Sequence, residues 1–187
     1  MLFKKLKLII GPMFSGKTTH LISHITNFQH NHAKGSIFCL NSMLDIRYGT
    51  RMIVSHDNRS VECNMSDSNG NICQYISTFQ LSEFNLFAID EGQFIDDIDD
   101  FCKYYLDDKI KHNIIVVVVF LKSDFLQNVL GKLGEMVAMA DEIVNLKAEC
   151  RLCHRDAVHT IKITKGETKI EIGDKQYEPR CRDCLTK

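Results

Sequence analysis

Apolar residues recur along this chain with two periods. Leu6-Lys7-Leu8-Ile9-Ile10 is a short apolar run, and Leu86-Phe87-Ala88-Ile89 is a second. The longest is Ile114-Ile115-Val116-Val117-Val118-Val119-Phe120-Leu121. It has the length of a buried strand and is too short to span a bilayer. Its β-branched, non-alternating character suits a parallel strand covered on both faces. Elsewhere the period is helical. Leu21, Ile22, Ile25 and Phe28 predict an inward stripe on a helix over 18–29. Ile98, Phe101, Cys102 and Tyr105 predict one face of an acidic helix within 95–111, and 130–139 predicts another helix. Further strands are expected over 35–40, 113–121 and 141–146. Alternating strands and helices predict an α/β fold: a parallel sheet flanked by helices, with right-handed connections.

Other stretches carry weaker signals. Residues 41–57 read as polar and irregular, and 122–129 as a loop. Segments 60–64 and 72–75 are weak strand candidates around a turn at 66–71, and 81–84 suggests a short helix. The acidic run Asp96, Asp97, Asp99, Asp100 reads as a solvated face. Beyond residue 147 the pattern changes. Segments 158–163 and 169–172 alternate like a hairpin with Lys165-Gly166 at its turn. A hairpin of that size is marginal by itself.

Composition narrows the function class. A chain of 187 residues with 44% hydrophobic content supports one main domain plus a small appendage. The formal net charge of -1 offers no basic surplus for nucleic acid or an anionic membrane. No cleavable signal pattern separates Met1 from the first strand, so an intracellular, cytoplasmic protein is expected. Eight cysteines are many for such a chain, and a reducing compartment disfavours a disulfide framework.

Three groups of residues carry chemistry. Gly11-Pro12-Met13-Phe14-Ser15-Gly16-Lys17-Thr18 fits G-x-x-x-x-G-K-[ST], the P-loop. Its glycines allow a tight turn that points several N–H groups at one phosphate. Lys17 can reach the β- and γ-phosphates, and the Thr18 hydroxyl can hold Mg²⁺. The flanking strand and helix give the geometry an anion site needs. The second group is Asp90-Glu91, which ends an apolar strand and precedes Gly92-Gln93-Phe94. In P-loop folds an acid at such an edge supports Mg²⁺, and the next residue can face the nucleophile. The third group is Cys150-x-x-Cys153 and Cys181-x-x-Cys184, two pairs separated by residues 154–180. Four thiolates so paired suit a closed, tetrahedral structural Zn²⁺ site, with reduced thiols or a redox pair as alternatives. Cys39, Cys63, Cys73 and Cys102 read as core or surface thiols, and His20, His24, His30 and His32 as solvated histidines. Asp45-Ile46-Arg47-Tyr48 and Ser55-His56-Asp57-Asn58-Arg59 place carboxylates and guanidinium groups after a strand. These either serve metal and phosphoryl group or are surface charges. Two parts follow: a P-loop, RecA-like ATP-binding domain over 1–147 and a zinc-stapled hairpin or lasso domain over 148–187.

Together these motifs resemble the type II thymidine kinases, the cellular cytosolic and poxvirus-like family. The resemblance rests on the P-loop as spelled here, Asp45-Ile46-Arg47-Tyr48, Ile89-Asp90-Glu91-Gly92-Gln93-Phe94, the paired C-x-x-C and Tyr177, in that order over about 6–184. It implies transfer of the γ-phosphoryl of ATP to the 5′-hydroxyl of thymidine or deoxyuridine, a step of nucleotide salvage for DNA synthesis. By resemblance, Glu91 is the general base, Lys17 neutralises phosphate charge and Arg47 lies near the transferred group. Asp90, Thr18 and Asp45 belong to the Mg²⁺ side, with Gln93 beside the P-loop residues on the ATP side. Phe125 packs on the thymine, Met13 lies near its methyl group, and Phe94, Ile172, Gly173 and Tyr177 line the nucleoside. Tyr177 belongs to a lasso, tethered by zinc, that holds the base largely through main-chain groups. A homotetramer and feedback inhibition by the triphosphate product are also implied.

The chain departs from the family at Leu121-Lys122-Ser123-Asp124-Phe125. Lys122 replaces a small acidic or amide residue, and Ser123 replaces glycine. If that glycine had a positive φ, Ser123 adds strain or reshapes the loop. Two other functions compete. One is a nucleic-acid-dependent RecA- or helicase-like ATPase. It is opposed by the near-neutral charge and the lack of a strand-binding surface. The other is an inactive, zinc-stapled interaction domain.

Overall fold

The computed structural model describes residues 3–32, 36–43, 51–66, 70–73, 84–107, 109–164, 173 and 175–185. In chain order its elements are β1 (Lys4–Gly11), α1 (Lys17–Asn31), β2 (Ser36–Asn41), β3 (Met52–Val54), β4 (Ser60–Glu62), β5 (Asn64–Met65), β6 (Phe84–Ile89), α2 (Ile98–Leu106), β7 (Ile114–Leu121), α3 (Leu133–Met139) and β8 (Glu142–Asn145). The short strands β9 (Ala148–Glu149), β10 (Asp156–Ala157), β11 (His159–Lys162) and β12 (Tyr177–Arg180) follow.

Among the described residues the main sheet runs β5-β2-β6-β7-β1-β8, and every pairing in it is parallel. Its apolar runs divide by the two-residue strand period. Leu6, Leu8 and Ile10 of β1 join Val116, Val118 and Phe120 of β7 on one face, against α2 and α3. Ile9, Val117 and Val119 face the other way, onto Leu21, Ile22, Ile25 and Phe28 of α1. Continuous apolar strands are thus alternating strands with both faces covered. Burying each α1 side chain of this stripe contributes about 1.5–3 kcal/mol, which offsets the cost of ordering the helix.

Several expectations are corrected. Phe84 opens β6; residues 81–83 lie outside the described residues. The 41–57 stretch contains β3, which pairs with β4 as an antiparallel hairpin anchored by fully buried Ile53. The acidic run is only partly solvated. Asp97 accepts the backbone N–H groups of Ile72 and Cys73, each at 2.8 Å. Asp99 is buried and pairs with Lys103 at 2.7 Å. A local charge count does not show which acids a helix turns toward a neighbouring segment. His20 and His24 are half-buried rather than solvated, and partial burial and then Lys7 lower both pKa values. β11 pairs antiparallel with β12, a pairing the sequence pattern did not suggest; 169–172 and Lys165-Gly166, the expected hairpin partner and turn, lie outside the described residues. Among the described residues no helix is long and apolar enough to cross a membrane.

Candidate active site

The sheet brings the C-terminal ends of β1, β6 and β7 side by side, so Gly11, Ile89 and Leu121 deliver three loops to one edge. The P-loop leaves β1 at Gly11, where a Cβ would lie 2.5 Å from Ser15 Oγ and 2.9 Å from the Leu146 carbonyl. Only glycine fits that approach. Gly16 caps α1 with φ 76°, the left-handed region glycine favours. No side chain caps α1 and no acid occupies its first turn, so its N-terminal N–H groups and dipole suit an anion. Ser15 Oγ and Lys17 Nζ both donate to the Pro12 carbonyl, at 2.8 and 2.7 Å, and brace the loop.

Asp90 and Glu91 leave β6 beside this loop. Asp90 is buried, its N–H donates to the Leu40 carbonyl at 2.9 Å, and the Thr18 side chain lies close enough to favour its carboxylate form. Burial and then the adjacent Glu91 push Asp90 up to about 7, against Thr18 and Lys17. A divalent cation held between Thr18 and Asp90 would reverse that penalty, so the pair fits a metal. Glu91 has φ 52°, a strained region for a residue with a side chain. Three contacts hold it there. Its N–H donates to Asp90 Oδ1 at 3.0 Å, its carbonyl accepts from Phe94 N at 3.0 Å, and Gln93 Nε2 donates to its carboxylate. Gln93 Oε1 in turn accepts the Leu121 N–H at 2.9 Å, tying the turn to the end of β7. Gly92 has no room for a Cβ, which would lie 2.6 Å from Val118 Cγ1.

Two of the expected nucleoside residues come together. Phe125 and Tyr177 lie with ring centroids 6.4 Å apart, although 52 positions separate them in sequence. Lys162 Nζ stands 5.7 Å from the Phe125 centroid, a contact the sequence did not reveal. Gly173 has φ 144°, and a Cβ there would meet Gln176 Oε1 at 2.7 Å. The Met13 N–H donates to Thr160 Oγ1 at 2.9 Å, so β11 touches the P-loop itself. Only folding could reveal that bond, since Thr160 belongs to no local motif. Ser123 is absent from the positive-φ positions, so the glycine replacement costs no left-handed strain. Asp124 instead shapes the loop, accepting from the N–H groups of Leu126 and Asn128 at 2.9 and 2.7 Å. Lys122 is exposed. Asp45, Arg47 and Ile172 lie outside the described residues.

The four cysteines of the two C-x-x-C pairs come together, with all Sγ atoms within 4.8 Å of one another. A tetrahedral metal–thiolate site needs sulfur atoms about 3.8 Å apart, so the cluster could hold a metal ion. Hydrogen bonds from the Arg155 backbone and side chain hold the Cys153 thiol below its ordinary range, toward the thiolate a metal requires. Arg155 also pairs with Asp183 at 2.7 Å, joining the two knuckles. Cys39, Cys63 and Cys102 are buried thiols and Cys73 is half-buried, as expected.

A parallel α/β sheet with a P-loop after β1 and a buried acid after β6, at the same sheet edge, defines a P-loop nucleotide-binding protein. Comparison with known proteins narrows the class. The thymidine kinase family model matches residues 4–185. The chain is 33% identical over 180 residues to the thymidine kinase of Oryza sativa subsp. japonica, covering 95% of this chain and 65% of that protein. It is 31% identical over 182 residues to that of Bacteroides thetaiotaomicron, covering 96% and 86%. It is 33% identical over 193 residues to that of Amsacta moorei entomopoxvirus, covering 96% of each chain. The chain belongs to the thymidine kinase family.

Proposed function

We propose that this protein is an ATP-dependent deoxynucleoside kinase. It transfers the γ-phosphoryl group of ATP to the 5′-hydroxyl of thymidine, and of deoxyuridine, leaving the nucleoside monophosphate and ADP. The observation that carries the reading is the Asp90-Glu91 pair at the strand end, with buried Asp90 accepting the Glu91 N–H and lying near Thr18 and Lys17 of the P-loop. The P-loop residues 11–18 cradle the phosphates and Lys17 neutralises their charge. Thr18 and Asp90 would hold Mg²⁺, with Asp45 a further candidate, and Gln93 keeps the neighbouring turn in place. Mg²⁺ supplies charge neutralisation to a transition state that needs positioning more than covalent help. Glu91 takes the 5′-hydroxyl proton as that oxygen bonds to the γ-phosphorus and the bond to ADP breaks. Arg47 is assigned near the transferred group by resemblance. Phe125, Phe94, Met13, Ile172, Gly173 and Tyr177 are assigned to the nucleoside.

The division into a nucleotide-binding part over 1–147 and a zinc-binding lasso part over 148–187 belongs to the same reading. Cys150, Cys153, Cys181 and Cys184 would hold one Zn²⁺ in a closed, structural role, because four thiolates leave no coordination position for substrate. A homotetramer and a cytoplasmic setting, where thiols stay reduced, complete it.

The test is monophosphate formation by the metal-replete protein with Mg²⁺-ATP and a panel of nucleosides. Thymidine-dependent product supports the reading. ATP hydrolysis stimulated by nucleic acid, without nucleoside-dependent product, overturns it and moves the helicase-like alternative forward.

A further inference from the structure

The hairpin turn Ser55-His56-Asp57-Asn58-Arg59 has no place in the proposed reaction, yet it lies against the P-loop. β3 and β4 bring Ser55 and Arg59 together, with Ser55 N–H donating to the Arg59 carbonyl at 2.9 Å. Asp57 is the centre of the turn. Its Oδ1 accepts from the Ser55 hydroxyl at 2.5 Å and from the Thr19 hydroxyl at 3.1 Å, and its Oδ2 pairs with Arg59 Nε at 2.9 Å. Thr19 is on the first turn of α1, next to Thr18. One residue before Asp57, the His56 ring lies 5.3 Å from the Phe14 ring, tilted by 34°. Phe14 is a P-loop residue with φ 63°. A bulky residue there is strained and persists only where its surroundings over-determine it. Two independent contacts from one turn therefore reach both sides of the phosphate loop.

We infer that this turn is a clamp that pre-organises the P-loop: His56 holds the strained Phe14 by ring contact, and Asp57 fixes the turn to α1 through Thr19. Both are positioning residues. The inference rests on the P-loop binding a nucleotide. Loosening the clamp lowers the fraction of loops in the binding conformation, and apparent affinity falls by that fraction. The nucleoside, assigned only Met13 in this loop, is affected less.

The experiment is equilibrium binding of ADP to His56→Ala, Asp57→Ala and Thr19→Val, with KM for ATP and thymidine measured on the same proteins. Each variant should bind ADP about tenfold more weakly, as the fraction of loops in the binding conformation falls. KM for ATP should rise alike and by clearly more than KM for thymidine, which is assigned only Met13 in this loop, with Tm nearly unchanged. His56→Phe should restore affinity, because it keeps the ring contact. The double variant His56→Ala/Asp57→Ala should be little worse than either single one. Unchanged ADP affinity in all three variants overturns the clamp, as does an equal rise in both KM values. Failure of His56→Phe to rescue also overturns it, by making His56 a direct polar contact of the nucleotide. ADP binding is read without turnover, so failure of the kinase reading would appear separately, as wild-type protein that binds ADP but phosphorylates no nucleoside.

Discussion

The phosphate-binding edge of the sheet and the four-cysteine cluster each organise charged groups, and they do so on opposite foundations. At the first, Gly11, Ile89 and Leu121 end strands of six to eight residues whose two faces are buried against helices, and Asp90 follows Ile89 directly. The apolar core sets the positions of the polar groups, and strain at Glu91 is absorbed by that frame. At the second, β9 and β10 have two residues each, and the buried cluster is Ala148, Ala157 and cysteines. So small a core cannot repay the entropy of ordering the loops around it. The first region is held by its own apolar core, whereas the second has four clustered thiols that could hold a metal ion in place of one.

The largest test separates the two by chelation. Structural zinc contributes roughly 10–16 kcal/mol in small peptide sites, so its removal should unfold the stretch after 147 and abolish thymidine phosphorylation. ADP binding and the main thermal transition should survive, measured by equilibrium binding and calorimetry. Simultaneous loss of the main transition would show that the two regions fold as one unit.

Next in size is Glu91→Gln. A positioned general base contributes about 10²–10⁴-fold, so kcat should fall by that factor while ADP affinity holds, because Gln93 and Asp90 keep the turn. An unchanged kcat would remove Glu91 from the role.

Gly92→Ala should then cost about 1–3 kcal/mol by overpacking, since the new Cβ would meet Val118 and Phe120. A calorimetric Tm equal to wild type would mean that this edge is looser than the contacts imply.

The smallest expected effect is at the outer strand. Glu142 is held down to about 2 by hydrogen bonds from Lys5 and then Lys7. Its contribution should be fully present above the ordinary glutamate range and fade as pH falls through about 2. These groups are partly exposed and screened, so Glu142→Gln should cost less than about 1 kcal/mol at pH 7. Denaturant titration should show the difference from wild type shrinking in acid.

The legibility of each region in the sequence follows the same division. The stripe Leu21, Ile22, Ile25, Phe28 and the run 114–121 announced their elements, because burial on a helix or a doubly covered strand is written at local spacing. The P-loop and the paired cysteines were legible for a similar reason: phosphate cradles and metal knuckles need fixed short spacings. Asp97 and Asp99 were misread, since the Ile72–Cys73 backbone that Asp97 serves and the burial of Asp99 depend on where α2 docks, although Lys103 lies one turn along the same helix. The pairing of β11 with β12 went unforeseen, because strand pairing across a long connection carries little local signal.

What the sequence determined by itself is the set of chemical groups and their local geometry: a phosphate loop ahead of a helix, two acids closing an apolar strand, four thiols in two turns. These depend on neighbours a few positions apart. The tertiary structure alone decided which groups meet. It set Tyr177 beside Phe125, Thr160 on the Met13 N–H, Gln93 between Glu91 and Leu121, and His56 against Phe14. Contacts between elements depend on strand order and on how helices pack over the sheet, and those are properties of the whole core, which no short window of residues specifies.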